Sequence, residues 1–301
     1  MPIAVLHHPD YVVPPDPASR YSWSKNVLVR DRLRDEGGRV AWSVPQRMPR
    51  EWIAAVHDPA YVAEVADARV PAEKERRIGF PIDARVARRS FVVPGGTWGA
   101  ALQAMESGFA FNSAGGSHHA GYESGAGYCV FNDLAIAANR LVAEATVARV
   151  MIVDCDVHQG DGTARLTAGN AAIATYSIHA DKNFPAVKAR STRDVPLPDG
   201  AGDADYLAAL EATLLPLLDA FRPELILWQG GVDPYAGDRL GRLALTQEGL
   251  DARDRLVARA AKARGVPVAG TLGGGYGQDG DAVAARHVRS ILTFGEAYAA
   301  G

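Results

Sequence analysis

The sequence predicts an α/β fold: an open, mostly parallel β-sheet with helices on both faces. Three observations lead there. The apolar run Val150, Met151, Ile152, Val153 has no polar residue at alternate positions, as expected of a strand buried on both faces. From Phe109 onward, strand-like segments alternate with helix-length ones, the pattern of strands joined by crossover helices. Glycines and chemically loaded side chains then follow one strand candidate after another, where open parallel sheets place their ligand sites.

The chain has 301 residues, 48% hydrophobic and 22% charged, with a formal net charge of -3. That is ordinary globular composition, and it invites no polyanion, so nucleic acid is not an expected partner. Arg85, Arg88 and Arg89 recur at helical spacing and read as a solvated helix face. Cys129 and Cys155 form no CxxC, which points to a reducing compartment rather than a disulfide framework. Met1 to Val5 carry no basic n-region, and no window holds the roughly 18 apolar residues a membrane span needs. A soluble, cytoplasmic protein with no membrane partner is expected. With no internal repeat, linker or composition shift, residues 1–301 are expected to form one domain.

In order, Ile3–Leu6 reads as a first strand, followed by a Pro-rich loop with Pro14, Pro15 and Pro17. Residues 24–36 read as a helix with Ser24 as N-cap and Gly37-Gly38 as its stop, and 39–43 as a second strand. Three helices are expected at 59–68, 83–93 and 97–107. Then come a strand at Phe109–Asn112, an alanine-rich helix at 132–145, the central strand at 149–153, and a β-branched strand at 171–178. A helix at 203–220, a strand at 225–228, a helix at 246–263, a strand at 266–272 and a helix at 279–293 complete the chain.

Five strand candidates lead into polar or catalytic-type residues: Gly115-Gly116-Ser117-His118-His119, then Asp156 and His158, then His179, then Gly230-Gly231-Val232-Asp233, then Gly273-Gly274-Gly275-Tyr276. Asp156, His158 and Asp233 give two carboxylates and an imidazole, a three-ligand set that suits catalytic zinc and leaves Fe(II), Mn(II) or Co(II) open. An isolated Asp-x-Asp is more often a capping cluster; His158 and the second strand-end aspartate argue for metal. His118-His119, in a glycine-flanked turn, is the place for acid–base work, with Asp154 and Asp161 as carboxylates to orient the two rings. Tyr276 can donate to a developing oxyanion, against the plainer reading of a packed turn aromatic. Gly275 to Gly280 also satisfies G-x-G-x-x-G, but too little chain follows for a dinucleotide-binding unit. No G-x-S-x-G or Walker A pattern is present.

His118-His119, Asp154-Cys155-Asp156-Val157-His158, Asp233 and Gly274-Gly275-Tyr276 resemble, in order, the motifs of zinc-dependent histone deacetylases. The likeness extends to segments 7–11, 57–61, 127–133, 177–185 and 237–241, and is strongest to the class IV branch and its bacterial relatives. It implies the arginase/deacetylase fold, Asp156, His158 and Asp233 as zinc ligands, and His119 as general base and acid. It further implies His118 as an electrostatic partner, Asp154 behind His118, Asp161 behind His119, and Tyr276 polarising the scissile carbonyl. Gly127, Tyr128 and Phe184 would fall at an acyl-lysine tunnel, with Gly274 also beside substrate. Asp154, Asp156, His158, Ser177 and Ile178 lie where the family often holds a structural potassium ion. Tyr128 stands where the family usually has Phe, and Asp161 where class IV more often has Asn, a charge expected to make His119 more basic. Recruitment to chromatin is not expected.

The expected activity is metal-dependent removal of an acetyl or longer acyl group from a lysine-like amine, in a peptide, a protein or a small molecule. The rivals are an acetylpolyamine or other small-amide deacetylase of the same fold, and a catalytically silent acyl-lysine reader. A dimanganese arginase-like enzyme would need ligands not found beside Asp154 to Asp161.

Overall fold

Eight strands, every adjacent pair parallel, form one sheet in the order β2 (Val40–Ser43), β1 (Ile3–Leu6), β3 (Phe109–Asn112), β8 (Val268–Thr271), β7 (Leu225–Gln229), β4 (Val150–Asp154), β5 (Ile173–Ala180), β6 (Arg193–Leu197). The structure is a computed structural model and describes residues 2–14 and 21–300; Pro15 and Pro17 of the Pro-rich loop lie outside them. Along the chain the elements are β1 (Ile3–Leu6), α1 (Lys25–Asp35), β2 (Val40–Ser43), α2 (Arg50–Ala54), α3 (Pro59–Ala66), α4 (Ala72–Ile78), α5 (Ala84–Ser107) and β3 (Phe109–Asn112). After them come α6 (Asp133–Ala143), β4 (Val150–Asp154), α7 (Asp161–Leu166), β5 (Ile173–Ala180) and β6 (Arg193–Leu197). The chain closes with α8 (Asp203–Phe221), β7 (Leu225–Gln229), α9 (Gln247–Lys262), β8 (Val268–Thr271) and α10 (Gly280–Ala300).

The continuous apolar runs have the expected cause. Met151 and Val153 of β4, with Ile226 and Trp228 of β7, pack on one face with Val29 of α1, Leu210 of α8, Val257 of α9 and Ile291 of α10. Val150 and Ile152, with Leu225 and Leu227, pack on the other face against Ala100 of α5 and Leu134 of α6. Alternate side chains of one strand therefore enter different cores, and neither set can be polar. Among the described residues no helix is long and apolar enough to cross a membrane. Both cysteines are free and buried.

Three expectations need correction. Residues 83–93 and 97–107 belong to one helix, α5, which runs through Pro94. The proline removes the backbone donor of the Ser90 carbonyl, and one turn on the Val93 carbonyl also accepts from Asn112 Nδ2 at 3.1 Å. A Cβ on Gly95 or Gly96 would lie 1.9 Å from the Gln46 carbonyl oxygen or the Tyr11 hydroxyl, so close packing keeps the helix on course across a sequence that reads as a break. His179 lies within β5, with Nδ1 3.0 Å from Ser177 Oγ, rather than in the turn beyond it. The edge strand β6 (Arg-Asp-Val-Pro-Leu) was not expected, because its charges and Pro196 mask the strand pattern, as edge positions allow.

Candidate active site

Because all strands run the same way, their carboxyl ends share one rim, and loops from β3, β4, β7 and β8 meet there. The first is fixed by Asp133, at the start of α6. Its carboxylate accepts the Gly116 and Ser117 N–H groups at 3.1 and 2.7 Å and the Thr97 hydroxyl at 2.6 Å. This anchors the turn that presents His118 and His119, whose ring centroids are 4.1 Å apart. His118 Nδ1 lies 2.7 Å from Asp154 Oδ2, and His119 Nδ1 lies 2.8 Å from Asp161 Oδ1. Each pair is buried, and each carboxylate orients its ring so that Nε2 is the nitrogen left for chemistry.

The two imidazoles differ electrically. Burial disfavours charge on both. For His118 the carboxylates of Asp154 and Asp156 outweigh it and raise the ring to about 9. For His119, burial and the neighbouring His118 charge prevail over Asp161 and lower it to about 3. The Asp161 charge thus does push His119 upward, but does not decide the outcome, and Arg165 pairs with its other oxygen.

Asp156, His158 and Asp233 are buried together, with one ligand-type atom from each within 4.8 Å of the others. Asp156 Oδ2 accepts Gln229 Nε2 at 2.7 Å and the Gly274 N–H at 2.8 Å. Asp233 Oδ1 accepts the Val157 N–H at 2.9 Å. Its Oδ2 lies 3.2 Å from His158 Nδ1 yet has no hydrogen-bond partner. An orphaned carboxylate oxygen with this burial is costly unless a cation completes it. Burial and the Asp156 charge raise Asp233, while the two carboxylates hold His158 up against burial. A Cβ on Gly274 would sit 2.0 Å from Asp233 Oδ2 and 2.6 Å from Asp156 Oδ2, so only glycine leaves room there. The donor set, the orphaned oxygen and the cleared space fit a divalent metal ion.

Above the triad opens a cleft of about 420 Å³, lined by His119, Gly127, Tyr128, His158, Asn183, Phe184, Leu240 and Tyr276, with Arg76 to Gly79 at its mouth. The Phe184 ring stands edge-on to His119 at 4.8 Å and is 48% exposed. Gly127 and Tyr128 both have positive φ (53° and 66°), unusual for a tyrosine. A Cβ on Gly127 would lie 2.7 Å from the His119 ring, which explains the glycine. Tyr276 enters from the opposite loop with its ring 5.8 Å from Tyr128 and 6.5 Å from His158. Burial, with the charges of Asp156 and Asp233, pushes its phenol well above the ordinary value, so it stays a donor. Asp154 and Ser177, two of the residues named for an alkali cation, are buried register partners on β4 and β5.

Several supporting residues escaped the sequence reading. Asp238 accepts the Tyr276 N–H at 2.6 Å, and Lys25 Nζ donates to the Gly273 carbonyl at 2.7 Å, bracketing the loop that carries the phenol. Arg253, fully buried and paired with Asp254 at 2.8 Å, donates to the Gly231 carbonyl at 2.6 Å beneath the two aspartates. Asp133 and Asp238 lie within the family-like segments 127–133 and 237–241, but like Lys25 and Arg253 they act through backbone groups distant in sequence.

A model of the histone deacetylase domain matches residues 15–292. An uncharacterized protein of Picosynechococcus sp. is 41% identical over 289 residues, covering 95% of this chain and 96% of that protein. A probable deacetylase of Archaeoglobus fulgidus is 28% identical over 305 aligned positions, covering 93% and 83%. Among solved structures, an acetylpolyamine aminohydrolase from Burkholderia pseudomallei superposes with a TM-score of 0.81 at 21% identity, over 99% of both chains. The HD domain of HDA15 does so with a TM-score of 0.79 at 23% identity, over 97% of this chain and 88% of that one. These likenesses show the arginase/deacetylase fold. The family match over nearly the whole chain, together with the full-length relative, shows that the chain belongs to the histone deacetylase family.

Proposed function

We propose that this protein is a metal-dependent amidohydrolase that removes an acetyl or longer acyl group from a lysine-like amine, with residues 1–301 acting as one catalytic unit. The observation that carries this is the placing of His119, its Nδ1 held by Asp161 at 2.8 Å, beside the buried Asp156, His158 and Asp233 set, with His119 and His158 lining one cleft. In this reading those three residues hold zinc, or Fe(II), Mn(II) or Co(II) in its place. When bound, the ion supplies Lewis acidity, polarising an amide carbonyl and acidifying water.

The chain's own groups do the rest. His119 Nε2 takes a proton from the attacking water as its oxygen adds to the acyl carbon, while Asp161 holds Nδ1. His118, kept protonated by Asp154, supplies positive charge beside the developing oxyanion. Tyr276 donates a hydrogen bond to that oxygen. As the C–N bond breaks, His119 returns its proton to the leaving amine. Gly127, Tyr128 and Phe184 flank the alkyl stem of the acylated amine, with Gly274 also beside substrate. A potassium ion on the carbonyls of Asp154, Asp156, His158, Ser177 and Ile178 is part of the same proposal, as is a cytoplasmic location. Release of acid from Nε-acyl-lysine peptides by the zinc-loaded protein tests the reading; no turnover across acetyl to long-chain acyl groups overturns it.

A further inference from the structure

The cleft mouth is basic. Arg76 and Arg77, in the last turn of α4, line it, and among the described residues no aspartate or glutamate does. Arg76 is exposed and has no ion-pair partner among the described residues. Arg77 pairs with Glu73 one turn back at 2.6 Å, but both side chains are exposed, so water and salt compete for that pair. The position of the arginines is fixed by the tunnel itself. The Gly127 N–H donates to the Arg77 carbonyl at 3.0 Å and the Tyr128 N–H to the Ile78 carbonyl at 2.7 Å. The neighbours of Phe184 and Leu240 include Lys182 and Arg239. Of the acids in those loops, Asp181 is exposed beside Lys182, and Asp238 is taken up by the N–H groups of Tyr276, Leu240 and Gly241.

On an amidohydrolase with this cleft, the amine side of the substrate passes the mouth while the acyl group lies at the floor. We infer that Arg76 and Arg77 select acylated amines that carry a carboxylate beside the acylated chain, and turn away polycationic ones such as acetylated polyamines. This inference rests on the deacylase reading of the same site. Two exposed charge contacts at a partly enclosed mouth are enough for roughly a five- to ten-fold preference, and salt weakens it.

The test measures kcat/KM of the zinc-loaded protein on acetyl-lysine peptides whose flanking residues are Glu, Gln or Lys, at about 20 mM and 500 mM salt. Nε-acetyl-lysine with a free or an amidated α-carboxyl (α-amine blocked) and an acetylated polyamine complete the set. The acidic peptide leads the lysine-flanked one by about five- to ten-fold at low salt, the gap narrows at high salt, and the polyamine is the poorest. If the small carboxylate shows the preference and the peptides do not, the carboxylate is that of a small molecule. In Arg76→Gln/Arg77→Gln the acid-to-lysine ratio falls towards one, and in the double change to Glu it inverts. Turnover of all peptides with one rate and no preference for the free over the amidated α-carboxyl, or an unchanged ratio in these variants, overturns this inference alone. Turnover of none, nor of the same peptides carrying longer acyl groups, overturns the deacylase reading and the inference with it.

Discussion

Asp238 holds the Tyr276 loop by its backbone: one carboxylate oxygen accepts the Tyr276 N–H at 2.6 Å, and the other accepts those of Leu240 and Gly241 at 2.8 and 3.0 Å. The Arg239 N–H donates to the Tyr276 carbonyl at 2.9 Å, so two loops are stitched together just where the phenol must stand. An oxyanion donor works only if held in place before the charge develops, which makes Asp238 a positioning residue. Asp238→Asn turns one acceptor into a donor facing an N–H. We expect kcat to fall about ten-fold with KM within two-fold, and Tyr276→Phe to lower kcat by about 10²–10³. In the double variant the Asp238→Asn effect should vanish; a full additive loss would contradict a role through Tyr276.

Gly274 is the second pressure point. Its missing side chain is the space between two carboxylates, so Gly274→Ala drives a methyl onto Asp233 Oδ2 and Asp156 Oδ2. The variant is expected to fold, since the clash is confined to the rim, but to bind zinc at least ten-fold more weakly, as measured by competition with a chromophoric chelator. Unchanged affinity would show that these carboxylates do not converge on the ion.

His57 sets a pH dependence that can be isolated. Its Nδ1 donates to the Gly121 carbonyl at 2.7 Å and its Nε2 accepts the Asn132 N–H at 3.0 Å, so only the neutral ring fits. Burial lowers it to about 4 from the usual 6.5. Between those values the unfolded chain binds a proton that the native state refuses. The stability contributed is therefore complete above 6.5 and is lost as pH falls towards 4. In urea unfolding, the advantage of wild type over His57→Gln should shrink by about 2 kcal/mol from pH 7.5 to 5. A constant gap would contradict a neutral His57.

The parts of this molecule legible in sequence are those where one residue's own chemistry announces its place. The run Val150 to Val153 could be read as a doubly buried strand because both cores demand apolar side chains, and Asp156, His158 and Asp233 stood out because charge at such strand ends needs a reason. The unbroken course of α5 could not be read, because Pro94, Gly95 and Gly96 look like a break until Tyr11 and Gln46 are seen against them. Strand β6 was hidden for a related reason: an edge tolerates Arg193, Asp194 and Pro196. Asp133, Asp238 and Arg253 act on backbone N–H and carbonyl groups, which no side-chain pattern encodes. Ring protonation in the His118-His119 pair likewise follows from burial and neighbours rather than from residue type.

Metal content and turnover, measured on the same samples, test the central claim most directly. Wild type, a chelator-stripped portion, the zinc-reconstituted portion and Asp233→Asn would each be assayed for bound metal and for release of acetate from an acetyl-lysine peptide. The account predicts one catalytic divalent ion per chain, activity that disappears and returns in step with it, and weak metal retention in Asp233→Asn. Undiminished turnover by stripped protein with no metal left would contradict it.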